Sequence, residues 1–340
     1  MKPGADSLII APQWIGDAVM TEPLLRRLAA RGERLTVGAL PWVAPVYRLM
    51  PQVSEVIELP FTHGGLQWQA RCSLARSIRG RFDTAYVCPN SLKSALLPFL
   101  AGIQQRVGYL GEARFGVLTQ RLKNPPKHQR PPMVAFYSAL SGERDLARDQ
   151  PLLQADKAAV EQTLQQLGLS RAGYYVFAPG AEFGPAKRWP TDQFADLARR
   201  LDRPVLLLGS AKEHALCEEI AVPVNASQIG KCLNLAGKTS LPQAFHAIAG
   251  ALCTLSNDSG LMHVAAALGV SQVAIFGSSS PLHTPPLNDS AAVLWLKNEP
   301  SYQPVLGCAP CFERSCRFGH TRCLRDISVS QVLQRIHELA

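Results

Sequence analysis

The chain has no long hydrophobic run, and this absence excludes a membrane-spanning helix. A helix that crosses a bilayer needs about 20 consecutive apolar residues, whereas even the long uncharged stretch 259–288 is interrupted by His, Gly, Ser and Pro. The first residues, MKPGADSLIIAPQW, also lack an apolar segment long enough for a signal peptide. We therefore expect a cytoplasmic protein whose nine cysteines are reduced thiols.

Charged residues are also scarce, at 18% of the sequence against 47% hydrophobic residues, which excludes a disordered chain. With 340 residues, the chain is too long for one ordinary core, so we expect two domains. Residues 1–130 contain 17 Lys and Arg against 8 Asp and Glu, a net charge of +9, whereas residues 131–340 contain 18 of each. The basic part predicts an acidic partner: nucleic acid, an anionic membrane surface, or a phosphorylated or carboxylated substrate. Plain solubility is the remaining explanation.

The first strand is followed by a turn that lacks the three glycines of a dinucleotide-binding fingerprint. Strand 7–11, the turn PQWIGD, a helix with apolar residues at positions 19, 24, 25 and 28, and strand 35–40 form a βαβ opening. Asp17 in this turn would repel a diphosphate. It either handles a proton or a hydroxyl group, or it compensates the dipole of the helix that it begins.

The strand 84–88 ends in a second polar loop, PNSLKS. Because parallel strands end at one edge of a sheet, Asn90, Ser91 and Lys93 are predicted to face the same edge as Asp17. These groups suit a sugar or a carboxylate ligand, and the alternative is a solvated loop with a capping serine. The basic segment 106–130 with Tyr109 would also fit single-stranded nucleic acid, but no nucleic-acid-binding motif accompanies it. A helical bridge over 125–167 and a domain junction at 168–173 follow.

In the second half, strand 174–179 leads into the loop GAEFGPAKRWP, which is long for a βα connection and rich in Gly and Pro. Of its two adjacent cations, Lys187 is the better phosphate ligand because its charge lies on a flexible stem, and Arg188 is equally explained as a surface residue.

The stretch 253–277 is predicted to be strand, polar turn, helix and strand. Asp258 or Ser259 caps the helix, Gly260 allows a close approach to the backbone, and His263 in the first turn donates a hydrogen bond to an anion. The free N–H groups of such a helix suit a phosphate. The alternative is an ordinary cap with a packed histidine.

The last part carries four cysteines with the spacing C-x2-C-x4-C-x6-C, namely Cys308, Cys311, Cys316 and Cys323. Four such thiols either bind zinc or remain reduced structural cysteines, because this spacing is not that of a standard zinc ribbon or finger. Ser328 and Gln331 are predicted to form the capping box of a last helix.

Six segments together resemble the ADP-heptose:lipopolysaccharide heptosyltransferases of glycosyltransferase family 9, and most of all the heptosyltransferase II group. They are APQWIGDAVM, PNSLKSAL, RVGYLGEARFG, PGAEFGPAKRWP, LLGSAKEHA and SNDSGLMHVAAALG. The resemblance covers nearly the whole chain, and residues 125–170 and the cysteine-containing tail match least.

The resemblance implies the α/β GT-B glycosyltransferase fold, with two Rossmann-like domains facing across a cleft. Residues 1–170 would bind the acceptor, residues 171–325 would bind ADP-heptose, and residues 326–340 would form a helix packing back on the N-terminal domain. The reaction implied is transfer of L-glycero-D-manno-heptose from ADP-heptose to heptosyl-Kdo2-lipid A, by a monomer at the inner face of the cytoplasmic membrane, with no cofactor and no nucleic acid.

The resemblance also implies roles for individual residues. Asp17 matches the general base of an inverting reaction, and Lys187 matches the lysine that binds the donor diphosphate. The donor-binding residues would be Lys187, Glu213, Asp258, Ser259, Gly260 and His263, and the acceptor-binding residues Asn90, Ser91, Lys93, Arg106 and Arg114. No metal is expected, and the chain has no DXD motif. The alternatives are a heptosyltransferase I or III, a nucleic-acid-binding protein that uses the basic half, and an inactive sugar-nucleotide sensor.

Overall fold

The computed structural model describes residues 4–62, 65–126, 129–143 and 149–339. The chain divides into two compact units, Met1–Gln154 and Ala155–Ala340. Each unit contains a six-stranded sheet in which every pair of neighbouring strands is parallel. The predicted α/β class is thus confirmed. Within the described ranges, no helix has the length and apolarity needed to cross a membrane.

The first unit has the strand order β3-β2-β1-β4-β5-β6. Its strands are β1 (Asp6–Ile10), β2 (Arg34–Ala39), β3 (Val53–Glu58), β4 (Thr84–Val87), β5 (Gln105–Tyr109) and β6 (Gln120–Leu122), and its helices are α1 (Ile15–Met20), α2 (Glu22–Ala30), α3 (Ala44–Tyr47), α4 (Trp68–Ser77), α5 (Leu92–Leu100) and α6 (Met133–Ser138). The strands β1 and β4 are neighbours. The turn with Asp17 and the loop with Asn90 therefore follow adjacent strands, as predicted.

The helix expected after β1 is two helices, with a break at Thr21. Pro23 lies in the first turn of α2, where its missing N–H costs nothing because the first N–H groups of a helix have no partner inside it. In the middle of one long helix the same proline would have removed a hydrogen bond.

The second unit has the strand order β12-β11-β10-β7-β8-β9. Its strands are β7 (Tyr175–Ala178), β8 (Val205–Leu207), β9 (Cys232–Asn234), β10 (Cys253–Asn257), β11 (Gln272–Ile275) and β12 (Ala291–Leu294), and its helices are α7 (Lys157–Gln166), α8 (Thr191–Arg200), α9 (His214–Asn225), α10 (Leu241–Ala249), α11 (Gly260–Ala267), α12 (Arg322–Arg325) and α13 (Val329–Leu339). Because β10 pairs with both β7 and β11, the loops after these three strands lie at one edge of the sheet.

The unit boundary lies between Gln154 and Ala155, earlier than the junction expected at 168–173. The helix α7 belongs to the second unit because it packs on α10, with Thr163 Oγ1 2.9 Å from Nδ1 of His246. Of the helical bridge predicted over 125–167, α6 thus lies in the first unit and α7 in the second, since helical periodicity does not tell on which side of a helix its partner lies.

The last helix, α13, packs on α8, β11 and β12 of the second unit, where Val332 and Ile336 are fully buried. It completes the core of the second unit, to which residues 326–339 belong, whereas the sequence analysis placed this helix against the N-terminal domain. The capping box before this helix is confirmed: the backbone N–H of Ser328 donates to Gln331 at 2.8 Å, and that of Gln331 donates to Ser328 Oγ at 3.3 Å.

Candidate active site

In the first unit, the carboxylate of Asp17 lies in the first turn of α1, after the end of β1. It is partly exposed, and its Oδ1 accepts a hydrogen bond of 2.8 Å from the hydroxyl of Tyr137 on α6. Tyr137 is buried, and this burial, followed by the negative charge of Asp17, raises the pKa of its hydroxyl well above the usual value. Tyr137 therefore remains a neutral hydrogen-bond donor that fixes one oxygen of the carboxylate.

Several other buried groups lie in the region around Asp17. Cys88 at the end of β4 has its pKa raised to about 12, first by burial and then by the charge of Asp17. The hydroxyl groups of Tyr47 and Thr21 lie 3.0 Å apart in the same region. Sequence analysis does not point to Tyr137, because this residue lies 120 positions from Asp17 in a segment that carries no recognisable motif.

The loop after β4 contributes Asn90, Ser91 and Lys93, each of them partly exposed. Asn90 donates to Asn124 at 3.2 Å, and the hydroxyl of Ser91 donates to that of Ser94 at 3.1 Å. Ser91 precedes α5 without capping it through its side chain. No described carboxylate lies within ion-pair distance of the Lys93 ammonium.

The two arginines expected to meet the acceptor are engaged by the protein instead. Arg114 is fully buried, and its guanidinium donates to the carbonyl groups of Pro89 and Tyr109 and to Oδ1 of Asn90 at 3.3 Å. Arg106 donates to the carbonyl of Val117 at 2.5 Å. Burial lowers the pKa of both. In this structure the two guanidinium groups hold loops of the protein in place. A ligand could bind them only after these hydrogen bonds were broken.

In the second unit, the loop 180–190 brings Lys187 to the end of β10. Its Nζ lies 2.5 Å from Oδ2 of Asp258, and the two side chains are 19% and 8% exposed. An ion pair thus joins Lys187 to the turn after β10. The ring of Phe183 lies 5.3 Å from the same ammonium group and covers it from the loop side.

Asn257 ties this loop to the strand, and the sequence did not single it out. Its Oδ1 accepts a hydrogen bond of 2.9 Å from the backbone N–H of Trp189, and its Nδ2 donates to the carbonyl of Pro179 at 2.7 Å. The side chain is fully buried. One residue before Asp258, it fixes both ends of the loop that carries Lys187.

His263 in the first turn of α11 is buried, and its pKa is lowered to about 4. Burial is the largest cause, the charge of Asp258 opposes it, and the charge of Lys187 adds to it. At neutral pH this imidazole is uncharged, so it offers an anion one N–H group and no positive charge.

The turn before α11 differs from the expectation, because neither candidate caps the helix. Ser259 occupies the N-cap position without a side-chain hydrogen bond to the helix, and Asp258 is bound to Lys187. The hydroxyl of Ser259 is buried and has no partner among the described atoms. A buried hydroxyl without a partner at the N-terminus of an eight-residue helix is a free donor for a ligand oxygen.

Two further serines with the same property follow β11. The hydroxyl groups of Ser278 and Ser279 are buried and lack partners among the described atoms. They lie at the sheet edge shared by β10 and β7. Three consecutive serines after a buried strand could have indicated hydroxyl groups at this edge of the sheet. The signal is weak, because serines are common in loops.

Glu213 lies at the same sheet edge, after β8. Its Oε2 accepts hydrogen bonds from the backbone N–H of Ser210 at 2.7 Å and from its hydroxyl at 3.0 Å. A Cβ placed on Gly180 would come within 1.7 Å of Oε1. The carboxylate thus occupies the space that a side chain at the start of the 180–190 loop would fill, and the absence of a side chain at Gly180 is required for this contact.

Comparisons with known proteins show which family this chain is similar to. Residues 71–322 match the family described as glycosyltransferase family 9 (heptosyltransferase). Lipopolysaccharide heptosyltransferase 2 of Escherichia coli K12 is 41% identical over 98% of this chain and 97% of its own. Lipooligosaccharide heptosyltransferase 2 of Haemophilus influenzae is 37% identical over 98% of both chains.

The solved structure described as E. coli ADP-heptose lps heptosyltransferase II superimposes with a TM-score of 0.84 at 38% identity, covering 98% of both chains. The two six-stranded parallel sheets are accordingly of the GT-B type. Because the family match spans most of the sequence and the similarity to its members runs from end to end, this chain belongs to the heptosyltransferases of glycosyltransferase family 9.

Proposed function

We propose that this protein is a heptosyltransferase II. It transfers L-glycero-D-manno-heptose from ADP-heptose to heptosyl-Kdo2-lipid A during assembly of the lipopolysaccharide inner core. It works as a monomer at the cytoplasmic face of the inner membrane, and no nucleic acid takes part. The observation that carries the proposal is the edge formed by β7, β10 and β11, which holds Lys187, the N-terminus of α11 and buried hydroxyl groups that have no partner among the described atoms.

The second unit binds the donor. The ammonium group of Lys187 and the N–H groups at the start of α11 meet the diphosphate, and the hydroxyl of Ser259 donates to one of its oxygens. As the bond to the anomeric carbon breaks, negative charge develops on ADP, and Lys187 stabilises it. His263 contributes an uncharged N–H donor, and Glu213 accepts hydrogen bonds from the nucleoside. Protein groups alone neutralise the leaving group, so transfer requires no metal ion.

Asp258 has a different role from the groups that bind phosphate, because a carboxylate repels a diphosphate. In the free protein it neutralises Lys187 at 2.5 Å. When the donor binds, Lys187 is shared with the phosphate, and Asp258 accepts hydrogen bonds from heptose hydroxyls. The pair therefore keeps the lysine side chain in place before the substrate arrives.

The first unit activates the acceptor. Asp17 accepts the proton of the acceptor hydroxyl. The oxygen of that hydroxyl attacks the anomeric carbon and displaces ADP from the β-linked donor, which gives an α-linked product by inversion. Tyr137 donates a hydrogen bond to Oδ1 and so orients the carboxylate toward the attacking hydroxyl. Asn90, Ser91 and Lys93 bind hydroxyl and carboxylate groups of the acceptor core, while Arg114 supports Asn90 from within the protein.

The acceptor assignment is tested with ADP-heptose and lipid A cores carrying no heptose, one heptose or two heptoses. Turnover is expected on the core with one heptose. Turnover only on the heptose-free core would identify a heptosyltransferase I, and turnover only on the core with two heptoses would identify a heptosyltransferase III.

The role of Asp17 is tested with Asp17→Asn, which keeps an oxygen for Tyr137 but removes the base. The transfer rate should fall by about two to four orders of magnitude, while calorimetry should show nearly unchanged binding of ADP-heptose. Glu58→Gln, which changes an exposed carboxylate of the same unit paired with Arg48, is the matched control and should keep full activity. An unchanged rate in Asp17→Asn would remove Asp17 from the mechanism.

A further inference from the structure

The residues 308–323, here named the cysteine segment, place four thiols around one small cavity. All four are free and partly exposed. The cavity is lined by these cysteines together with Ala186 and Ser278. Residues 308–321 of the segment lie in a stretch without helix or strand, and Cys323 lies in the first turn of α12.

Both ends of the cysteine segment contribute thiols to the same space. Cys308 and Cys311 from its start and Cys316 and Cys323 from its end line the same cavity. Thiolate, and not thiol, is the form of cysteine that ligates metal ions.

The charge of the segment also suits a cluster of thiolates. Residues 308–325 contain four Arg and one Glu, a net charge of 4 − 1 = +3. One of these, Arg317, lines the cavity itself. A divalent ion bound by four thiolates carries a net charge of −2, which these arginines offset.

As they stand, no three His, Cys, Asp or Glu side chains among the described residues are arranged to hold a metal ion. The four thiols border the cavity without converging on one point. A cysteine side chain reaches another position by rotation about the single χ1 bond, between staggered wells, and partly exposed thiols have space to do so. Binding of a metal ion would draw the thiols together by such rotations.

We propose that the four cysteines of the cysteine segment bind one Zn²⁺ ion in tetrahedral coordination. Each thiol that becomes a ligand releases its proton to solvent, so the ion replaces four protons. All four positions are taken by protein, which makes the site structural and leaves none for a substrate. Soft thiolate ligands favour zinc over magnesium or calcium.

The zinc site supports the loop that carries Lys187. Arg314 makes two hydrogen bonds to this loop. Its carbonyl accepts from the backbone N–H of Ala186 at 3.1 Å, and its side-chain Nε donates to the carbonyl of Phe183 at 2.8 Å. The backbone N–H of Phe312 donates to the carbonyl of Ser278 at 2.7 Å. With zinc bound, the cysteine segment is a rigid support behind the 180–190 loop, a consequence that rests on the proposed donor-binding role of that loop.

Metal analysis of the purified full-length chain tests the site. One zinc ion per chain is expected in the isolated protein. After removal of metal with a chelator, titration with Co²⁺ should produce the visible bands of tetrahedral cobalt and a thiolate-to-cobalt charge-transfer band. Cys316→Ser should lose the zinc and the charge-transfer band, whereas Cys72→Ser, a partly exposed cysteine of α4, should keep both.

A purified chain with almost no zinc, together with a cobalt titration that shows no thiolate band, would overturn the proposal even if Cys316→Ser did not fold. Equal zinc content in Cys316→Ser and the native chain would also overturn it. ADP binding is then compared in the zinc-loaded and stripped protein, and stripping should weaken it by on the order of tenfold. If neither form bound ADP, the proposed function would fail and the zinc site would stand.

Discussion

The ammonium nitrogen of Lys187 lies 2.5 Å from Oδ2 of Asp258, in a place where both side chains are largely removed from water. A largely buried ion pair of this kind costs more when it is broken than it contributes when intact, because the remaining charge is left without a partner. The contact therefore connects the stability of the second unit with the phosphate-binding role proposed for Lys187.

Lys187→Met should lower the free energy of unfolding by about 2 kcal/mol, because Asp258 remains buried without its cation. It should also raise the KM for ADP-heptose. Asp258→Asn added to Lys187→Met should restore most of the stability and none of the donor binding. Urea unfolding of both variants and of the native chain measures this cycle. Equal loss in the single and double variants would mean that the pair is not coupled.

Tyr137→Phe should change the pH dependence of transfer. The tyrosine donates to Oδ1 of Asp17, and loss of a hydrogen bond to a carboxylate raises its pKa. The acid limb of the kcat/KM profile should therefore move to higher pH, with a lower kcat because the carboxylate also loses its fixed orientation. The binding of ADP-heptose should not change. A profile that keeps its acid limb in place would show that Tyr137 has only a packing role.

Much of the fold was accessible from the sequence, because strands followed by polar turns and amphipathic helices are local patterns. The strands that end before Asp17, Asn90, Lys187 and Asp258 were all predicted near their observed positions. Pairs of residues distant in the chain were not accessible. Asn257 bonded to Trp189 is an example, since only the folded sheet brings β10 beside the loop after β7.

The burial of individual polar side chains was also not accessible from the sequence. Arg114 was taken for an acceptor ligand because a basic segment indicates exposed charge, yet it is fully buried and bonded to three groups of the protein. An arginine in a sequence carries no mark of whether its partner is a ligand or a carbonyl group. Ser278 and Ser279 are the opposite case. Their buried hydroxyl groups have no partner among the described atoms, and a sequence does not show whether a hydroxyl group is paired.

Because of His263, the stability of the protein should decrease as the pH is lowered. Its pKa is about 4 in the folded protein and 6.5 as the ordinary value, so between these values the unfolded chain binds more protons than the folded one. The stability is complete above pH 6.5 and is lost as the pH falls toward 4, by up to about 3 kcal/mol. His263→Gln should flatten the curve over this interval. An identical pH dependence in the variant and the native protein would contradict the lowered pKa.

Asn257→Ala should destabilise the second unit and loosen the 180–190 loop. The substitution leaves the N–H of Trp189 and the carbonyl of Pro179 buried without their partner, and each such group costs about 1 to 3 kcal/mol. Because the loop then loses its attachment to β10, the KM for ADP-heptose should rise while the affinity for the acceptor stays the same.

Asn225→Ala is the matched control. Asn225 lies at the end of α9, and its side-chain amide makes two hydrogen bonds with the backbone of Cys232 on the edge strand β9. It should lower stability without raising the KM for the donor. If both variants raised this KM equally, the effect would come from general destabilisation and not from the attachment of the Lys187 loop.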